Sequence, residues 1–117
     1  MGESETIASL MPHNFDNPLK IDAATGGVLA KGPVDPNQGK IYWITVWVYE
    51  VNGVAAARGS KDFSGNPATQ SWDCPTTLFQ DSKKFSEGPV VGVAIARVKD
   101  GGTKEYFGWW EEVDLIK

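Results

Sequence analysis

The stretch IYWITVWVYEV, residues 41–51, holds one charged residue, Glu50, among ten apolar, aromatic or hydroxyl-bearing positions. A β-strand sends successive side chains to opposite faces. One face here carries Tyr42, Ile44, Val46 and Val48, and the other carries Trp43, Thr45, Trp47 and Tyr49. Asn52-Gly53 follows, the dipeptide of a two-residue hairpin whose type I′ turn needs positive φ at both positions. The return strand is expected from Val54 to about Phe63. A two-residue loop pairs Val51 with Val54, and therefore Tyr49 with Ala56, Trp47 with Arg58, Thr45 with Ser60 and Trp43 with Asp62.

The partner strand decides which face is wet. Arg58, Ser60 and Asp62 share a side with the two tryptophans, so that side is expected to point away from the core. Ile44, Val46, Val48, Ala55 and Ala57 are expected inside. Lys61 falls on the inner side near the strand end, where a long stem reaches water. Arg58 over Trp47 is expected as a cation–π pair, worth ~0.5–1 kcal/mol when exposed.

A second hairpin is predicted from Val90–Lys99 and Thr103–Ile116. A two-residue Gly101-Gly102 loop sets Lys99 opposite Lys104, and like charges directly opposed are unfavourable. A three-residue loop, Asp100 to Gly102, instead pairs Arg97 with Glu105, Ile95 with Phe107 and Val93 with Trp109. On that register Val91, Val93, Ile95, Phe107, Trp109, Val113 and Leu115 point inward, and Tyr106 and Trp110 outward. Glu111 then falls on the apolar side, which puts it at a sheet rim or calls for a bulge that changes phase after Trp110.

The remaining pattern is short strands punctuated by Gly and Pro. Strand pieces are expected near Leu19–Ala23 and Val28–Lys31, and one from Ser71 to Phe79 interrupted by Pro75, which belongs at an edge or bulge. A short helical turn is the best reading of Ser82–Phe85. The fold class expected is all-β: a small antiparallel β-sandwich, immunoglobulin-like or fibronectin-III-like, with a small β-barrel as the alternative. Residues 1–17 read as a flexible N-terminal arm and 18–117 as a single domain.

Composition narrows the function classes. A 117-residue chain of net charge −4 lacks the basic footprint that nucleic acid or an anionic membrane surface requires. No apolar run reaches the ~20 residues of a membrane helix, and the N-terminus lacks the pattern of a signal peptide. The compartment is open between the cytoplasm and an excised extracellular domain.

Catalytic chemistry is thin. His13 is the only histidine and Cys74 the only cysteine, so no disulfide and no Cys/His zinc tetrad can form within one chain. Asp73 beside Cys74 disfavours the thiolate, and a structural thiol is expected. The Asp35–Lys40 segment places its glycine one position early for a calcium loop and reads as a turn. Glu112 and Asp114 are expected on an outer, solvated acidic edge. No cofactor, metal or phosphate cradle is expected.

What remains is the aromatic outer face. It can lie under the chain's own Phe15 and Leu19 or under loops 64–70 and 79–88. It can meet a protein partner, including a second copy, or offer sugar rings a flat platform. The expectation is a non-catalytic binding or interaction module, with protein partners or self-association ahead of carbohydrate. Its expected site residues are Trp43, Trp47, Tyr49 and Arg58, with Tyr106 and Trp110 as a second patch.

Overall fold

The structure is a computed structural model and describes residues 14–33, 40–63, 71–100 and 103–117. It is all-β, with no helix among the described residues. The strands are β1 (Leu19–Ile21), β2 (Val28–Pro33), β3 (Lys40–Glu50), β4 (Ala56–Asp62), β5 (Ser71–Pro75), β6 (Thr77–Leu78), β7 (Gly88–Asp100) and β8 (Thr103–Ile116). They form one sheet in the order β5-β2-β1-β8-β7-β3-β4-β6. All neighbours run antiparallel except β1 and β8, which are parallel. This is the barrel alternative: a single mixed sheet wrapped nearly to closure.

The wrap is made by one piece of chain. Residues 71–78 pair with β2 through β5 and with β4 through β6, so the two ends of the sheet are consecutive in sequence. Thr76 sits at the join, 1% exposed. Its backbone N–H donates to Val28 O at 2.9 Å, and its hydroxyl accepts from Val28 N at 2.8 Å and donates to Val28 O at 2.9 Å. Gly59 on β4 permits the close approach there, since a Cβ at that position would lie 2.1 Å from Pro75 O. Lys61, on the inward side as expected, reaches across the gap from β4 to β5 and pairs with Asp73 at 2.8 Å. It also lies 5.2 Å over the Phe63 ring.

The first hairpin has the expected register throughout, from Trp43 opposite Asp62 to Tyr49 opposite Ala56. Its turn differs from the expected type I′. Positive φ occurs at Gly26, Asp81 and Gly88 and at neither Asn52 nor Gly53. Glu50 organises this bend instead: its carboxylate accepts from Ala55 N and Ser86 N, each at 3.0 Å. A β-bulge at Tyr42, between the pairs Ile41–Val98 and Trp43–Arg97, shifts the phase. Ile41 is therefore fully buried and Tyr42 half-buried, where simple alternation put Tyr42 with Ile44.

The second hairpin corrects the expectation. Lys99 does pair with Lys104, and Arg97 with Tyr106, Ile95 with Gly108, Val93 with Trp110. Val90, Gly92, Ala94, Ala96 and Val98 are the buried positions of β7, and Val91, Val93 and Ile95 face out. The interior then stacks small residues of β7 against large ones of β8, Ala94 opposite Trp109 and Ala96 opposite Phe107. Opposed like charges cost at most on the order of 1 kcal/mol. Phe107 and Trp109 point inward on either register, and it is the small side of β7 that leaves room inside for them and for Phe15.

Gly92 leaves room that Phe15 fills: a Cβ at Gly92 would stand 2.8 Å from the Phe15 ring. Phe15 is 4% exposed and packs between Trp72 and Trp109, with ring centroids 5.5 and 5.8 Å away. Its N–H donates to Glu111 Oε1 at 2.8 Å, which gives that inward carboxylate its partner. Residues 14–17 thus pack into the domain as its inner cover; the rest of the expected arm lies outside the described residues. The 82–86 stretch is irregular rather than a helical turn, with Phe85 anchored in the core.

Candidate functional site

The bulge and the two hairpin registers align the outward residues of β4, β3, β7 and β8 into four rows running across the strands. They are Asp62–Trp43–Arg97–Tyr106, then Ser60–Thr45–Ile95–Gly108, then Arg58–Trp47–Val93–Trp110, then Ala56–Tyr49–Val91–Glu112. The two aromatic patches expected from the separate hairpins are therefore one surface. β7 joins them, and its Val91, Val93 and Ile95 supply the apolar floor between the tryptophans of β3 and Trp110 of β8.

Exposure varies across this face in a regular way. Trp110 and Tyr106 on β8 are the most open, at 71% and 67%, while Tyr49 and Ile95 are at 40% and 38%. Trp43 and Trp47 are half-buried. Between them Thr45 is 1% exposed, and its hydroxyl meets the Ser60 hydroxyl at 2.7 Å. The Arg58 guanidinium lies 5.7 Å from the Trp47 ring, the expected cation–π pair. Phe79 meets the ring of Tyr49 edge-on at 6.4 Å, at one end of the face.

Of the chain's own expected covers among the described residues, Phe79 meets this face at its Tyr49 end. Phe15 and Leu19 are inside the barrel, and within 79–88 Phe85 is buried in the core. Loop 64–70 lies outside the described residues. The face is open along β8 and partly covered along β3 and β7, and exposed apolar patches mark sites of interaction.

The other candidates are separate from this face. Cys74 is fully buried. Burial, then the Asp73 carboxylate, pushes its thiol up to about 11, against a weaker lowering by Lys61 and a backbone hydrogen bond from Val46. A thiol so placed is protonated at neutral pH and does not act as a nucleophile. His13 and the Asp35–Gly39 turn lie outside the described residues. Glu112 and Asp114 are exposed, as expected. No cluster of three or more His, Cys, Asp or Glu is placed to hold a metal ion among the described residues. A polar cleft of about 370 Å³ lies at one end of the barrel between the β3–β4 bend and residues 83–89. Its Glu50 carboxylate is already engaged by two backbone N–H groups.

The six aromatic and arginine positions expected to face outward share this face, and the three aliphatic ones that lie among them were expected inside. The signal was present in the alternation of β7: Gly92, Ala94 and Ala96 form a small-residue side that only an interior packed against large neighbours favours. No helix among the described residues is long and apolar enough to cross a membrane. Comparison with family models, with curated proteins and with solved structures gives no match for this chain.

Proposed function

We propose that the protein is a non-catalytic interaction module whose working surface is the outer face of β4, β3, β7 and β8. The observation that carries this reading is continuity: Trp43, Trp47, Tyr49, Tyr106 and Trp110 share one face with Val91, Val93 and Ile95. Tyr, Trp and Arg are the residues enriched where proteins meet, and Arg58 and Arg97 stand on the same face. The buried, protonated state of Cys74 supports a non-catalytic role.

Carbohydrate is the second reading. It is favoured by the open indole of Trp110 beside the bare backbone of Gly108, where a pyranose ring can lie flat. Arg58 and Ser60 are hydrogen-bonding groups along the same surface.

The test is Trp47→Ala and Trp110→Ala, each assayed for stability by urea unfolding and for binding on protein and glycan arrays. Both variants are expected to lose the wild-type ligand while unfolding within about 2 kcal/mol of wild type. A loss of ~3 kcal/mol or more for Trp110→Ala is the signature of an emptied core site and removes the interaction reading.

A further inference from the structure

Strand β1 is three residues long and pairs with Val28 and Leu29 of β2 and with Leu115 and Ile116 of β8. Past it, β2 continues to Pro33, and β8 begins as far back as Thr103. The opening this leaves in the barrel wall is crossed by residues 14–17. Asp16 N–H donates to Lys31 O on β2 at 2.8 Å. On the β8 side the attachment runs through side chains. Phe15 N–H donates to Glu111 Oε1 at 2.8 Å, and Asp114 N–H donates to Asn17 Oδ1 at 3.0 Å. Asn14, Asp16 and Asn17 are exposed, and Phe15 between them is buried. The segment is a strap, pinned by one inserted ring.

The place that ring occupies suits a flat group. Trp72 and Trp109 wall it, and Gly92 lies so close that a Cβ would strike the ring. Gly32 makes similar room beside Trp72. A Cβ there would run into Asn14 O and stand 2.9 Å from Trp72 Cε2, the atom bonded to Nε1. The N–H edge of Trp72 therefore lies close beneath the strap. Trp72 is 1% exposed, and its Nε1–H has no acceptor; nor has that of Trp109. A buried donor without an acceptor is destabilising, and a phenyl ring brings no lone pair to it. Phe15 matches the site in shape and fails it in polarity.

We propose that this is a ligand site held, in the closed state, by the chain's own Phe15. When the strap swings out, a neutral, planar aromatic molecule with one hydrogen-bond acceptor takes the ring's place and accepts from Trp72 Nε1–H. Apolar walls exclude an ionised ligand. An eight-stranded barrel is wide enough to hold one small molecule. The apparent affinity is the intrinsic one scaled by the fraction of strap that is open. The site lies behind the strap, apart from the outer sheet face, and its fate is independent of the interaction reading.

Quinoline and naphthalene share a shape and differ by one ring-nitrogen acceptor, which makes them the probes. Each is titrated into the full chain, and the five indole N–H signals are followed in 1H–15N spectra. Quinoline is expected to move Trp72 Nε1–H downfield, and naphthalene is not. Trp72→Phe is expected to lower quinoline's affinity relative to naphthalene's about tenfold, the worth of one hydrogen bond. Glu111→Ala unlatches the strap without emptying the core and is expected to tighten both probes by a similar factor, roughly tenfold. Phe15→Ala is expected to tighten both further. An unchanged ratio of the two affinities in Trp72→Phe overturns the proposal, because a water or nothing then serves that donor. Quinoline shifts confined to Trp43, Trp47 and Trp110 also overturn it, since they report the outer face. Binding by Phe15→Ala alone, with none by wild type or Glu111→Ala, is the filling of an engineered hole and sinks the strap.

Discussion

Cys74 shows how one side chain's surroundings decide its chemistry. Its sulfur is enclosed, with Asp73 next to it in sequence, and both raise its pKa from 9.0 to about 11. Below pH 9 the thiol is protonated in the folded and unfolded chains alike, so it adds no pH dependence. Between pH 9 and 11 the unfolded thiol ionises first, the unfolded chain binds fewer protons, and stability falls as pH rises. Urea unfolding of wild type at pH 8 and pH 10.5 should show roughly 2 kcal/mol more loss than Cys74→Ala over the same interval, since one pKa unit is about 1.4 kcal/mol. Equal slopes for the two proteins would mean that the sulfur is not enclosed in solution. Glu111 makes the complementary point. On an apolar side it looked misplaced, and the N–H of Phe15, ninety-six residues away, is what it serves.

At the scale of strands and hairpins, local pattern was a good guide where polarity differed between faces and a poor one where it did not. The two-residue loop at Asn52-Gly53 gives the β3–β4 register without error, and Arg58, Ser60 and Asp62 mark its outer side. Along β7 both sides are uncharged from Gly88 to Ala96, so polarity could not orient it, and a weak like-charge argument pointed to the wrong register. Residues 71–78 were legible as an interrupted strand. The interruption at Thr76 is where the chain leaves β2 for β4, and the Thr76 hydroxyl takes both backbone groups of Val28. Thr76→Val keeps the shape, removes that hydroxyl and leaves a buried N–H without its acceptor. It is expected to cost about 1–3 kcal/mol in urea unfolding, whereas Thr77→Val, on the exposed side of β6, should fall within about 0.5 kcal/mol of wild type.

For the molecule as a whole, the interior of the wrapped sheet is filled by an aromatic trio, Phe15, Trp72 and Trp109, with Trp72 and Trp109 centroids 5.9 Å apart. Both indole N–H groups are buried without an acceptor, so ring packing outweighs two lost hydrogen bonds there. Phe15→Ala empties the middle of the trio. It should destabilise the fold by about 3–5 kcal/mol in equilibrium unfolding, against less than about 2 kcal/mol for Trp110→Ala on the open face. If Phe15→Ala proves as mild as Trp110→Ala, residues 14–17 do not cover the core in solution.

What the sequence determined by itself was local: strand positions, the parity of β3 and β4, the outward set of Tyr106 and Trp110, and the inert thiol. These depend on alternation and on neighbours within a hairpin, both written along the chain. What only the tertiary structure decided was long-range: the wrapping of one sheet by residues 71–78, the seating of Phe15 over Gly92, and the union of two aromatic patches through β7. Each of these depends on which strand lies beside which, and on whether small residues face large ones across a space. That space exists only once distant segments have closed around it.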